Sequence, residues 1–209
     1  MEKSICDYVI SKDIDFNCSD PVVGGAEAVG VIINRADIDF AQSTINQTQP
    51  NILEGIAFKK NTLRGFKIKQ AVVNPFNGTN TALASGNVRN SWTKVLSFVV
   101  LDDGPEVSSK IIDPMANGEF VVIIEKKYKG LANANPGSSA FEVYGWHQGL
   151  KSSEISNDLY SEDTEGGWAV TLQETKAPMS KMYLYKTSYS ATEALVESLT
   201  VAAAAASGS

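Results

Sequence analysis

The sequence predicts a mainly β protein: a β-barrel or sandwich of about nine strands, with one inserted helix and a short C-terminal helix. Two observations predict this class. Most apolar residues lie in short runs that are rich in β-branched and aromatic side chains and are separated by Gly, Pro, Asn and Asp. Helical periodicity, in contrast, is confined to two segments. The 209 residues are enough for one domain that buries its own core.

The strands are predicted from β-branched content and from apolar and polar residues that alternate with period two. In chain order they span residues 26–33, 38–41, 56–59, 66–72, 92–101, 119–125, 141–146, 168–173 and 182–186. The near-continuous apolar run of the sixth predicts a central strand. Gly65 lies between the third and fourth and predicts a hairpin there. The last two strands are expected to pair with each other.

The inserted helix is predicted between the fifth and sixth of these strands. Asp102-Asp103-Gly104-Pro105-Glu106 is typical of a helix start, with an acidic cap and a proline in the first turn. One buried stripe with a spacing of four residues is formed by Val107, Ile111 and Met115. Ile112 lies beside this stripe, and Asn117-Gly118 ends the helix.

A C-terminal helix is predicted at residues 190–199, where Ser190 and Glu193 have the spacing of a capping box. The chain therefore divides into an N-terminal arm, a β-rich domain and an Ala-rich tail or linker scar, which span residues 1–25, 26–200 and 201–209.

Polar composition predicts loops at residues 42–53, 74–90 and 150–165. The second of these is the longest and is rich in Asn, Thr, Ser and Gly. Loops of this length are uncommon inside compact domains and are usually functional or ordered by a partner.

The charge balance is acidic, with a formal net charge of −6. Tight binding to a phosphate backbone usually needs clustered basic residues. The pairs Lys59-Lys60 and Lys126-Lys127 are too short for that and are interpreted as solvated strand ends. No signal peptide is visible and no apolar run reaches the ~18 residues of a membrane span, so we expect folding in a cytoplasm with free thiols.

Candidate catalytic and metal-binding residues are few. His147 is the only histidine, so a Ser-His-Asp or Cys-His device has to use it. No GxSxG motif accompanies it, and we interpret it as a surface or loop residue. A zinc site made of Cys6, Cys18 and His147 with a carboxylate has a spacing unlike known patterns.

Carboxylates, glycines and aromatics are the other candidates for binding or catalytic residues. Asp102-Asp103 is explained by helix capping, and the acidic run Glu162, Asp163 and Glu165 lacks the order of a calcium loop. The glycines form neither GxGxxG nor GxxxxGK[ST]. A carbohydrate platform would use Trp146, Tyr144, Tyr183, Tyr185 and Tyr189. We therefore predict no catalytic residue, no cofactor site, no metal ligand and no enzymatic activity.

Five stretches together carry a resemblance. They are Asn74-Pro75-Phe76-Asn77-Gly78, Val99-Val100-Leu101-Asp102-Asp103-Gly104-Pro105, Phe141-Glu142-Val143-Tyr144-Gly145, Gly149-Leu150 and Gly166-Gly167-Trp168-Ala169-Val170-Thr171-Leu172. This combination resembles structural proteins of phages that infect Bacteroidetes. The strand-helix-strand order across residues 92–125 is similar to phage tail-tube proteins and to the tube protein of type VI secretion. The resemblance covers residues 26–199.

The resemblance implies a β-barrel with a flanking helix, of which six copies close a ring around a lumen and rings stack into a tube. The arm 1–25 and the loop 74–90 are the expected stacking contacts. The implied function is a self-assembling virion subunit, formed in the bacterial host cytoplasm. Its partners are further copies of itself, other virion proteins and DNA that passes through without specific binding. An acidic conduit repels DNA, because both carry negative charge.

The sequence is also compatible with three other functions. They are a head-associated or connector protein, a carbohydrate- or receptor-binding β-sandwich, and an enzyme whose paired carboxylates converge only in the fold.

Overall fold

The computed structural model describes residues 10–15 and 17–201, which form two β-sheets and two helices. The strands are β1 (Ala26–Asn34), β2 (Ile38–Ile45), β3 (Ile52–Phe58), β4 (Phe66–Lys69), β5 (Asn80–Ala84), β6 (Ser91–Val100), β7 (Phe120–Lys126), β8 (Phe141–Tyr144), β9 (Lys151–Asn157), β10 (Trp168–Ala177) and β11 (Met182–Leu184). The sheets have the orders β2-β3-β11-β8-β7-β1-β4 and β5-β6-β10-β9. The mainly β prediction is confirmed as a two-sheet sandwich, and the described residues form no closed barrel.

Two strands lie inside stretches that the sequence analysis predicted as loops. β5 falls within residues 74–90 and β9 within 150–165, and they are the two edges of the four-stranded sheet. β9 is mostly polar, and β5 is only five residues long with Leu83 exposed, so the apolar alternation of a strand is weak in both. The predicted loop 42–53 is also shorter than expected, since β2 continues to Ile45 and β3 begins at Ile52.

Two predicted pairings are wrong. β3 pairs with β2 and with β11, whereas β4 pairs with β1, so Gly65 does not close a hairpin. Its N–H instead donates to the carbonyl of Leu199 at the end of the chain's last helix. β10 and β11 belong to different sheets. The partners of β4 and of β11 are distant in sequence, and local turn signals do not report them. β7 is central, as predicted.

The seven-stranded sheet is strongly curled. Four strands separate β1 from β2, yet only Arg35–Asp37 connects them. In a flat sheet these strands would be ~24 Å apart. The connection from Asn34 to Ile38 spans at most ~14 Å. The sheet therefore curves until the end of β1 approaches the start of β2.

The curled sheet buries both of its faces. One face packs on the four-stranded sheet through a core that includes Phe98, Val122 and Leu172. The other face surrounds a second core, which includes Ile123 and Leu184 and is covered by the C-terminal helix. This helix spans Tyr189–Ser198, close to the prediction.

The C-terminal helix is capped by a different residue from the one predicted. The Ala191 N–H donates to the Ser188 hydroxyl (3.2 Å), so Ser188 is the N-cap and Ser190 already lies inside the helix.

The inserted helix spans residues 105–117, close to the prediction, but its middle is a π-turn, Ser108–Ile112. Asp113 N–H donates to Ser108 C=O, five residues back. The extra residue rotates the helix, so Ile112 is buried and Ile111 is 37% exposed. The predicted stripe through Ile111 is therefore wrong. The π-turn directly precedes Pro114, whose missing N–H weakens the regular helical pattern there.

The acidic cap predicted for the inserted helix is also wrong. Gly104 is the N-cap, and no side chain caps this end. Asp103 instead accepts a hydrogen bond from the indole of Trp168 (3.3 Å).

The described part of the predicted arm, residues 10–15 and 17–25, contains neither strand nor helix. It is tied to the domain by Asp20, whose carboxylate accepts a hydrogen bond from the Tyr128 hydroxyl (3.3 Å). Across the described residues, the helices are too short or too polar to cross a membrane.

Candidate assembly groove and polar cavity

An open groove lies where the free edge of the seven-stranded sheet approaches the four-stranded sheet. Among the described residues, β4 is the last strand of its sheet and pairs only with β1. The Gln70 N–H donates to Ala28 C=O on β1 (2.7 Å). Because backbone groups alternate in direction along an antiparallel strand, those of Lys67 and Lys69 point away from β1. The groove therefore has an exposed strand edge as one wall.

The opposite wall is the second half of β6. β5 pairs with β6 only over residues 91–95. Beyond that point side chains take the place of a strand. The Gln70 amide donates to Val99 C=O (2.8 Å) and accepts from Val99 N–H (2.9 Å), and the Thr79 hydroxyl accepts from Ser97 N–H (3.2 Å). Gln70 thus joins the two sheets at one end of the groove.

The groove encloses about 710 Å³. Its lining is mostly apolar and comes from both walls, from the sheet floor and from the inserted helix: Ile32, Asn34, Phe66, Lys67, Ile68, Lys69, Phe98, Val99, Val100, Leu101, Asp102, Lys110, Ile111, Pro114, Met115 and Phe120. Phe66 and Leu101 are about half exposed. Lys110 is paired with Glu106, so the positive charge of the groove comes from Lys67 and Lys69 on β4, against Asp102.

The loop between β9 and β10 has complementary character. This acidic loop, residues 158–165, carries Asp158, Glu162, Asp163 and Glu165. Leu159 and Tyr160 are 69% and 94% exposed. Asp158 shapes the turn, since its carbonyl accepts from Ser161 N–H (3.1 Å) and its carboxylate from Tyr160 N–H (3.0 Å). The loop therefore presents two apolar side chains among negative charges.

A separate polar cavity of about 580 Å³ lies beside β7 and β8, under residues 22–25 of the arm and Ala26 at the start of β1. Glu142 is 1% exposed and forms part of its wall. The Glu142 carboxylate accepts hydrogen bonds from the Tyr144 hydroxyl (3.0 Å) and the Lys181 ammonium (3.2 Å). The Lys126 ammonium lies 3.5 Å from it.

Burial changes the proton affinities of the groups in this cavity. It lowers the pKa of Lys126, against the opposing effect of Glu142. It also raises the pKa of Tyr144 and, together with the charge of Glu142, raises the pKa of Tyr183 to about 12. Both tyrosines therefore stay protonated at neutral pH. Lys126 was predicted at a solvated strand end, which is wrong, because its ammonium is directed to a buried carboxylate.

A buried ion pair lies between the sheets. Lys94 and Glu174 face each other on β6 and β10, with 3.3 Å between the ammonium and the carboxylate, and their side chains are 1% and 0% exposed. Glu174 also accepts hydrogen bonds from three backbone N–H groups of the turn after β8, those of Gly145, His147 and Gln148.

His147 is half-buried in this turn rather than on the surface. Its carbonyl accepts a hydrogen bond from Arg35 (2.9 Å), and its buried Nδ1 has no hydrogen-bond partner in the part of the chain that the structure describes. Burial, followed by the charge of Lys94, lowers the pKa of His147. The imidazole is therefore neutral at pH 7.

The aromatic residues considered as a carbohydrate platform do not form one. Tyr144 and Trp146 are buried, and Tyr183, Tyr185 and Tyr189 are half-buried. Phe40 packs on Trp146 with 4.9 Å between ring centroids. These rings therefore contribute to packing.

The residues considered as metal ligands are not brought together. Cys6 lies outside the described residues, and Cys18 is exposed. Glu162, Asp163 and Glu165 are exposed on the acidic loop. Within the described ranges, no three His, Cys, Asp or Glu side chains converge in a way that would hold a metal ion.

Gln70, Lys94, Glu142 and Glu174 were not predicted as site residues from the sequence. One signal was available for three of them. Lys94, Glu142 and Glu174 stand in strands at positions in phase with buried apolar neighbours, for example Lys94 with Leu96 and Phe98. A charge at an inward position of a strand indicates a buried partner.

Comparison of the chain with protein families, with curated proteins and with solved structures finds no match. Its function is accordingly argued from the geometry above and from the resemblance of its sequence.

Proposed function

We propose that the chain is a self-assembling structural subunit of a phage virion, most simply a tail tube that conducts DNA, with a head-associated or connector protein as the alternative. One observation carries self-assembly: an apolar, positively charged groove of about 710 Å³ with the exposed edge of β4 as one wall. Exposed strand edges and exposed apolar surfaces are features of association sites. The virion context rests on the sequence resemblance.

The partner in this proposal is a second copy of the chain. The groove has Lys67 and Lys69 on its exposed wall, and the acidic loop carries four carboxylates around Leu159 and Tyr160. Tyr160 is the natural anchor, because tyrosine is frequent at the centres of interfaces. The charges of the two surfaces also favour this orientation.

The proposed contact is head-to-tail, since the groove and the acidic loop are different surfaces of one chain. Contacts of this type close into rings where the rotation between copies permits and otherwise extend into filaments. Both are consistent with a tube. The formal net charge of −6 suits a conduit along which DNA slides without adhering.

The experiment is light scattering after gel filtration at rising protein concentration, with negative-stain imaging. The expected result is rings or tubes for the native chain. Tyr160→Ser with Leu159→Ser is expected to abolish assembly, as is Lys67→Glu with Lys69→Glu. Lys60→Glu, at an exposed turn away from the groove, is the matched control and should assemble normally.

A charge exchange tests the specific contact. Combining Lys67→Glu and Lys69→Glu with Glu162→Lys and Asp163→Lys should restore assembly that either pair alone removes. A native chain that is monomeric at every concentration contradicts self-assembly. Assembly that survives both sets of single-surface changes contradicts this interface.

A further inference from the structure

We infer that the polar cavity beside Glu142 is a binding site for a small anion that carries a carboxylate or phosphate group. This site is separate from the groove, so the inference does not depend on the proposed assembly. Its volume of about 580 Å³ lies within the range of ~300–1,000 Å³ typical of small-molecule sites.

The charge of the cavity selects the ligand class. Three lysines and one carboxylate line it, Lys126, Lys127 and Lys181 against Glu142, which leaves a surplus of two positive charges. The single carboxylate is already engaged by Tyr144 and Lys181. An incoming anion therefore meets ammonium groups whose attraction is only partly cancelled.

Lys126 shows the incomplete compensation most directly. Its side chain is 17% exposed and its closest carboxylate oxygen is 3.5 Å away. Burial lowers its pKa, so the folded chain solvates the ammonium less well than water does. An anion in the cavity supplies the missing counter-charge. The rings of Tyr183 and Tyr128, with centroids 5.1 Å and 5.8 Å from the ammonium, hold this side chain at the site.

The remaining wall is built from unusual backbone. Asn74 and Phe76 both line the cavity and have φ values of 50° and 54°, a left-handed conformation that asparagine tolerates but that is costly for the bulky Phe76. Strained backbone of this kind is concentrated at ligand sites. Phe76 is 3% exposed and packs in the core between the sheets, which fixes the loop against the cavity.

The test is titration of the full chain with inorganic phosphate and, separately, with succinate, at constant ionic strength against chloride. Amide NMR shifts and calorimetry are the readouts. Saturable binding of either anion is expected, with shifts concentrated at Gly25, Gly78 and Tyr128. The anion that binds with the lower Kd identifies whether the ligand group is a phosphate or a carboxylate.

Lys181→Met is expected to weaken this binding at least tenfold, whereas Lys186→Met, an exposed lysine outside the cavity, should leave it unchanged. Lys181 is 43% exposed, so its variant should fold, and Lys127→Met provides a second exposed change at the cavity. No saturable binding of either anion to the native chain overturns the inference. Binding that Lys181→Met and Lys127→Met both leave unchanged also overturns it.

Discussion

At the scale of single residues, the ionic groups buried between the sheets show how a charge is accommodated inside a small β-sandwich. The Glu174 carboxylate contacts the Lys94 ammonium on one side. On the other side it accepts hydrogen bonds from three backbone N–H groups of the turn after β8. Its carboxylate therefore ties β10 to the turn that leaves β8, which belongs to the other sheet. A buried carboxylate with this many donors has few unsatisfied lone pairs.

We expect Glu174→Gln to lower the free energy of unfolding by about 3–5 kcal/mol. The amide keeps the shape of the side chain but leaves the Lys94 ammonium buried without a counter-charge, and turns an NH₂ group toward N–H donors. Urea denaturation measures the change. Glu154→Gln, on exposed β9, is the control and should stay within about 0.5 kcal/mol. Equal effects at the two positions would contradict this account.

The stability of the protein should also fall as the pH drops below about 6.5, partly because of His147. Its pKa is lowered in the folded state by burial and by Lys94. Between this lowered pKa and the ordinary value, the unfolded chain binds more protons than the folded chain, so unfolding is favoured as the pH falls.

His147→Gln removes this titration. Denaturant unfolding from pH 5 to pH 8 should show a shallower acid-side slope in the variant than in the native chain. Because the chain has one histidine, the difference between the two curves reports His147 alone. Parallel curves would show that the imidazole is protonated equally in both states.

At the scale of elements, the inserted helix depends on its π-turn. A regular α-helix would direct Val107, Ile111 and Met115 to the core. The additional residue in the turn brings Ile112 inward and leaves Ile111 at the wall of the open groove. The same local irregularity therefore completes the core and supplies an apolar side chain to the candidate interface.

We expect Ile112→Ala to lower the free energy of unfolding by about 2–5 kcal/mol and Ile111→Ala to lower it by less than about 1 kcal/mol. The two changes delete the same atoms from neighbouring positions, so they control for each other. Both are measured by denaturant unfolding at concentrations where the chain is monomeric. The reverse order would indicate a regular α-helix with Ile111 in the core.

At the scale of the whole molecule, acidic and basic residues are unevenly placed. The chain is acidic overall, yet the groove and the polar cavity both carry a local surplus of lysine. The acidic loop joins β9 to β10, and the first residue of β10, Trp168, pairs with Val100 of β6, so the loop lies at the same end of these strands as the groove. Surfaces of unlike charge on one chain favour contact between successive copies.

Assembly through these surfaces should weaken with added NaCl. Raising the salt from about 0.1 M to about 1 M shortens the screening length from about 10 Å to about 3 Å, which reduces attraction between the loop carboxylates and the groove lysines. Light scattering across this range measures the effect. Assembly that strengthens with NaCl would show that apolar burial alone drives it.

Local sequence was sufficient for the elements whose residues signal their own structure. These elements are signalled by residues close together in the chain: the apolar runs of β6 and β7, the proline and glycine at the ends of the inserted helix, and the turn into the C-terminal helix. Their existence and type were accordingly predicted. β5 and β9 were missed because a short edge strand with an exposed leucine and an edge strand of mostly polar residues both leave little periodic signal.

The strand pairing and the contacts between polar side chains are visible in the tertiary structure alone. The pairing of β4 with β1 and of β11 with β3 and β8 joins segments far apart in the chain, and no turn residue specifies it. The groove, the Glu142 cavity and the Lys94–Glu174 pair each combine residues from separate strands. The mainly β class, the two helices and the negative net charge could be predicted from the sequence, because each depends on local patterns or on a sum over residues. The sites depend on distances between remote residues, which folding alone establishes.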